Sequence, residues 1–166
     1  MAASSFDPQN PKLGPAANSG GIPKIVYGAY EKTSTSFKAG QFVFMDGSGA
    51  VDDVADNGVS VYGIALADST NTSSASAVVA IPVMTINPGD ELLIKTENSG
   101  SAALANTGDI GDAYSLNLTS GLITVDFADN STPAVVFNGP VLDATGASTY
   151  WGRFHLLDTV AQAVSG

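Results

Sequence analysis

The chain has 166 residues, six of them basic and sixteen acidic, for a net charge of −10, and it contains no cysteine. That length fits one domain or two small related lobes, and the missing cysteine excludes disulfide scaffolds, Cys-bearing zinc sites and thiol catalysis. The acidic balance repels phosphates and anionic headgroups, so neither nucleic acid nor a membrane surface is an expected partner.

The first segment, 1–21, carries Pro8, Pro11, Pro15, Gly14, Gly20 and Gly21, with Phe6 and Leu13 as its sizeable apolar groups. Such a stretch can neither form a helix nor build a core. It reads as an extended arm, with two outcomes open: a frayed terminus, or a segment that orders when laid on a neighbouring subunit. It shows no basic n-region and no apolar h-region, so no secretory signal is expected. No stretch approaches the roughly 20 apolar residues of a membrane span.

From residue 22 to 166 the apolar runs are short, β-branched or aromatic, and bounded by turn residues, which is the strand pattern. Strands are expected near Ile22–Tyr30, Gln41–Met45, Ala50–Val54, Val59–Ala67, Ala77–Ile86, Glu91–Thr96, Ala113–Leu118, Leu122–Phe127, Ala134–Phe137 and Tyr150–Leu157, with Val141–Asp143 weaker. Reversals fall at Asp46-Gly47-Ser48-Gly49, Asn57-Gly58, Pro88-Gly89-Asp90, Thr119-Ser120-Gly121 and Asn138-Gly139, which supply the positive-φ positions of tight turns. A short helix is expected only at Thr159–Val164. The fold class is all-β: a sandwich or barrel of short antiparallel strands, as one unit or as two related lobes, with the extended N-terminal arm.

Self-similarity bears on the choice between one unit and two. The segment from Gly40, GQFVFMDGSGAVDDVADN, is echoed about 71 residues later from Gly111, GDAYSLNLTSGLITVDFADN. Both spell strand, Gly turn, strand, Ala-Asp-Asn loop, apolar strand, hydroxyl loop and closing strand, over about 40–84 and 111–158. Duplication and convergence on shared turn chemistry both remain open at this point.

Chemistry is sparse. A serine-type triad needs a base, and the only histidine, His155, sits in TyrTrpGlyArgPheHisLeuLeu, where alternation puts it on the face of Trp151 and opposite Phe154 and Leu156. The acidic groups Asp52, Asp53 and Asp56, and Asp109 with Asp112, read as solvated loop tips, since a glycosidase pair needs an open cleft. No stretch matches the Asp-x-Asp-x-Asp-Gly calcium loop, and Gly47-Ser48-Gly49 lacks the helix N-terminus and Lys of a phosphate loop. No catalytic residue, metal site or cofactor is expected. The sequons at Asn71, Asn117 and Asn130 arise readily by chance in a chain with 18 Ser, 13 Thr and 10 Asn.

The segments GQFVFMDGSGAV, VYGIALADS and AVVAIPVM, with a spacer and a hydroxyl-rich loop between them, resemble the small β-rich decoration or cement proteins of tailed-bacteriophage heads. The resemblance covers about Phe37–Met84 and, more loosely, Asp109–Asp158; several relatives are shorter, with a single lobe. It implies a non-enzymatic protein on the outer capsid surface of the virion, a trimer that clamps neighbouring copies of a major capsid protein. On that expectation Phe6, Pro8, Leu13, Ile22 and Pro23, the apolar groups of the arm, make the interface. The alternative is a carbohydrate-binding or adhesin-like β module of a virion tail or fibre, which would stack sugars on Tyr27, Tyr30, Tyr62, Tyr114 or Trp151.

Overall fold

The computed structural model describes residues 12–17, 24–55, 58–70, 79–119 and 122–160. Strands account for nearly all of the regular structure there: β1 (Lys12–Ala17), β2 (Ile25–Glu31), β3 (Phe42–Met45), β4 (Ala50–Asp53), β5 (Gly63–Ala65), β6 (Ala80–Thr85), β7 (Asp90–Asn98), β8 (Ser101–Ala102), β9 (Ala113–Thr119), β10 (Leu122–Asp126), β11 (Val135–Leu142) and β12 (Ser148–Leu156). One 3-10 turn, Thr107–Asp109, precedes β9.

The strands close into two rings. The first runs β2-β4-β3-β5-β6 and back to β2. In the second, β7 pairs with β10, β10 with β9, β9 with β11, β11 with β12, and β12 with β7. Taken in chain order, the two rings have the same strand sequence around the barrel. Each is antiparallel except at one seam, where its first strand meets its third in parallel, β2 with β4 and β7 with β10. The echo from Gly40 and Gly111 covers four strands of each ring. It omits the first, β2 and β7, whose ring partners are distant in sequence and leave no local trace.

The first ring is filled by Ala29, Phe37, Val43, Val51, Tyr62, Ala65, Ile81 and Val83. Its β3 is buried on both faces, since Val43 points inward while Phe42 joins the larger core that it shares with the second ring. That double burial explains the unbroken apolar run FVFM. Phe42, Val54, Val61, Ile64 and Ile86 pack in one cluster with Leu92, Ile94, Leu116, Ile123, Val125, Phe137, Phe154 and Leu156, and Val61 N–H donates to Val160 O at 2.9 Å. The rings therefore share a core.

Aromatic rings occupy the second barrel. Phe137 and Phe154 lie 5.2 Å apart, and Phe127 meets Tyr114 and Phe137 edge-on at 4.8 and 5.4 Å, the geometry that the ring quadrupole favours. Space for them is left by Gly152, opposite Ile94. A Cβ there would lie 2.5 Å from Phe154 Cε2 and 2.9 Å from Phe137 Cε2.

Local turn chemistry repeats more faithfully than the rings do. Asp46-Gly47-Ser48-Gly49-Ala50 and Asp143-Ala144-Thr145-Gly146-Ala147 form the same turn. In each, the Asp Oδ1 accepts from the Ser or Thr N–H, its hydroxyl and the Ala N–H. The Gly sits at φ 83° in one and 82° in the other. One turn joins β3 to β4 and the other β11 to β12, which are not equivalent places, so five residues dictate the turn whatever the surrounding ring.

Several expected boundaries move. Val59–Ala67 contracts to Gly63–Ala65, where β5 pairs with both β3 and β6; Tyr62 and Leu66 extend that contact by single main-chain hydrogen bonds to Val43 O and Pro82 O. The segments expected at Ala134–Phe137 and Val141–Asp143 are one strand, β11, so Asn138-Gly139 is not the expected reversal: the positive φ of 140° at Gly139 serves a register shift within the strand. Of the expected Thr159–Val164 helix, Thr159 and Val160 form a turn closed by Val160 N–H to Leu157 O, and the remainder lies outside the described residues.

Candidate interaction surface

The five arm residues expected to make contacts are not brought together. Phe6, Pro8, Ile22 and Pro23 lie outside the described residues. Leu13 belongs to β1, opposite Leu92 of β7, with Lys12 opposite Leu93. This part of the arm is thus paired with the chain's own sheet. Sequence reasoning missed it because KLGPAA has neither β-branched residues nor alternation, and its pairing is main-chain.

Besides Val59, Leu66, Leu104 and Tyr150, exposed apolar side chains form two groups. On β2, Tyr27 is 71% exposed and is flanked by Ile25 at 40% and Tyr30 at 48%. On the outside of the second ring, Leu93, Pro140, Val141, Leu142 and Arg153 line an open groove of about 370 Å³, with exposed Ile110 beside Gly139. Among the aromatics considered for sugar stacking, Tyr62 and Tyr114 are buried. Burial raises both phenols, and for Tyr114 the neighbouring Asp109 and Asp112 add to it. Trp151 is half-buried, with Lys95 Nζ 6.0 Å from its ring centroid. Only Tyr27 and Tyr30 of that set present an open face.

The acidic groups are tied into local structure. Lys32 Nζ meets Asp52 Oδ2 at 2.5 Å, and Thr35 Oγ1 lies 2.8 Å from Asp52 Oδ1 and 3.1 Å from Asp53 Oδ1. Burial alone would raise the Asp52 carboxyl; the Lys32 ammonium and the Thr35 hydroxyl hold it below its ordinary 3.8. Asp46, Asp129 and Asp143 are also lowered, first by the Ser or Thr hydroxyl two residues on and then by main-chain N–H groups. His155 Nδ1 lies 2.8 Å from Asn138 Oδ1. Among the described residues no group of three or more His, Asp or Glu side chains could hold a metal; Asp56 falls outside them.

Among the described residues four acids are buried, Glu31, Asp90, Glu91 and Glu97, none of them expected from the sequence, and Glu31 and Glu97 share a placement. Glu31 ends β2 and accepts from Thr70 N–H at 2.7 Å and from its hydroxyl. Glu97, next to last in β7, is fully buried and accepts from Thr124 Oγ1 at 2.7 Å and from Asn117 Nδ2. Each stands at the end of the strand that forms its ring's parallel seam. The signal available was a lone Glu at the end of an apolar run, which is also the signature of a solvated strand end.

The fold and surface define an all-β protein of two five-stranded rings with a shared core, an added edge strand, and exposed apolar groups on one strand and one groove. No family model matches the chain, and no curated protein or solved structure matches it.

Proposed function

We propose that this chain is a non-enzymatic structural protein that decorates a bacteriophage capsid on its outer surface, clamping neighbouring major capsid protein subunits, as a trimer. The observation that carries the reading is the placement of β1. It lies on the rim of the second ring, paired through its main chain with β7 across one register shift, and the eleven residues before Lys12 include Phe6 and Pro8. An extended segment anchored in this way can add to a strand edge on a neighbouring surface. A clamp stabilises a shell by binding the assembled lattice better than free subunits, which is mass action and needs no reacting site. Net charge of −10 suits a surface turned away from packaged DNA.

Co-sedimentation with assembled phage heads tests this. The wild-type chain pellets with the shells and raises their melting temperature, and a chain lacking residues 1–11 loses most of that affinity while β1 stays in place. Equal binding by both would remove the arm from the account, and no binding by either would end the capsid reading. A glycan array separates the adhesin alternative, because a capsid clamp shows no saccharide preference.

A further inference from the structure

The groove on the outside of the second ring crosses three adjacent strands. β11 supplies Pro140, Val141 and Leu142, β12 supplies Arg153, and β7 supplies Leu93. Arg153 pairs with Leu93 on one side and with Gly139 on the other. Its guanidinium reaches over Gly139, where an added Cβ would stand 3.1 Å from Nη2. The walls are otherwise apolar, and Leu142 is 55% exposed. Among the described residues Arg153 makes no ion pair; the pairs that form are Lys32 with Asp52 and Lys38 with Asp68.

β1 brings the N-terminal segment to this groove. Its first residue, Lys12, stands opposite Leu93, so the main chain of the arm enters at the β7 wall. The eleven residues before it, MAASSFDPQNP, hold one aromatic side chain, Phe6, and next to it their one charged side chain, Asp7. That is the complement of an apolar groove with a single cation. Reach is sufficient. From β1 to β11 is three strand spacings, about 14 Å, and the six residues from Lys12 back to Phe6 can span roughly 20 Å. Pro8 and Pro11 restrict the free segment, so less entropy is lost when it docks.

We propose that this groove is the docking site of the chain's own residues 6–8, with Phe6 seated between Leu93 and Leu142 and the Asp7 carboxylate paired with the Arg153 guanidinium. Burial of the Phe6 ring supplies most of the affinity. A solvated ion pair adds little energy, but the planar guanidinium fixes the position of the carboxylate. The tether makes the contact intramolecular, so weak local interactions suffice. Docking itself does not rest on the proposed function. Its consequence does: in a capsid clamp the groove stows the arm until a shell competes for it, and shell affinity is lowered by the fraction of arms stowed.

Amide hydrogen exchange of the full-length chain tests this, read at Ser5, Phe6, Asp7 and Gln9 across a protein concentration series. In the wild type these amides are expected to exchange about tenfold or more slowly than in a free peptide of the same sequence. Leu142→Asp and Arg153→Glu both alter exposed side chains. The first is expected to return the arm to peptide rates and the second to speed it severalfold, with β12 amides still protected and far-UV circular dichroism unchanged. Asp7→Arg should act like Arg153→Glu, and the two together should recover part of the protection. Peptide rates in the wild type, or protection that neither groove substitution relieves, would overturn the proposal. Protection that appears only as the mass by light scattering rises would also overturn it, because the arm would then lie on a second copy. Peptide rates in a chain that still pellets with phage heads would defeat this inference alone, whereas a docked arm in a chain that pellets with none would uphold it and end the capsid reading.

Discussion

Gly152→Ala probes the packing of the second ring with a single methyl. Gly152 faces inward beside Ile94, and an added Cβ would stand 2.5 and 2.7 Å from two atoms of the Phe154 ring and 2.9 Å from Phe137. Carbon atoms in contact sit about 3.5–4.0 Å apart, so both rings must retreat by about 1 Å. They have little room, because Phe154 and Phe137 are fully buried and Phe127 packs against both. Overpacking of this kind costs about 1–3 kcal/mol. With a urea m-value of about 2 kcal/mol per M, a loss of about 2 kcal/mol moves the midpoint down by about 1 M. Near-UV circular dichroism should change as the aromatic rings shift. In a Phe154→Leu background the same methyl should cost less, giving a coupling energy of about 1 kcal/mol between the two sites. Gly108→Ala, whose Cβ meets nothing within 4 Å, is the control. If Gly152→Ala unfolds at the wild-type midpoint, or costs as much in the Phe154→Leu background as alone, the close approach of the rings to this backbone is not what selects glycine.

Phe42→Ala removes a buried ring from the cluster that both barrels share. It should cost about 3–5 kcal/mol while the unfolding curves followed by fluorescence and by far-UV circular dichroism stay coincident; two separate transitions would show that the barrels unfold independently. Lowering pH should erode stability through Asp46, Asp52, Asp129 and Asp143, whose folded carboxyls lie below 3.8. Their contribution is present above the unfolded value and is lost as pH falls through the folded ones. The triple variant Asp46→Asn, Asp129→Asn, Asp143→Asn should therefore show a flatter melting-temperature profile between about pH 5 and about pH 2, and an unchanged slope would contradict it. Lys32→Gln leaves Asp52 with burial and its interactions with Thr35 and Asp53, so its carboxyl resonance should titrate at higher pH than in the wild type; an unmoved midpoint would mean that the ammonium contributes nothing.

Turns were the most legible part of the chain, because their chemistry is contained in a few consecutive residues. Asp46-Gly47-Ser48-Gly49 is recognisable by eye, and Asp143-Ala144-Thr145-Gly146 folds identically although its alanine hides it. The candidate surface was legible only in outline. Tyr27 and Tyr30 were in view as aromatics, but the burial of Tyr62 and Tyr114 depends on partners across a barrel. Leu13 was in view as an apolar arm residue, while its place opposite Leu92 rests on backbone groups that carry no residue identity.

By itself the sequence determined the all-β class, the turns at Asp46–Gly49 and Pro88–Asp90, most strand positions and the two echoed stretches from Gly40 and Gly111, all properties of neighbouring residues. Tertiary structure alone decided that the strands close into two rings with a shared core, that each ring is sealed by a parallel seam between its first and third strands, and that β1 covers the open edge of β7 while β2 has no such cover among the described residues. The physical reason is range. Turn geometry and alternation act over two to five residues, whereas ring closure sets Tyr30 beside Ala50 and Thr96 beside Val125, contacts chosen by the burial of a whole barrel rather than by any local preference.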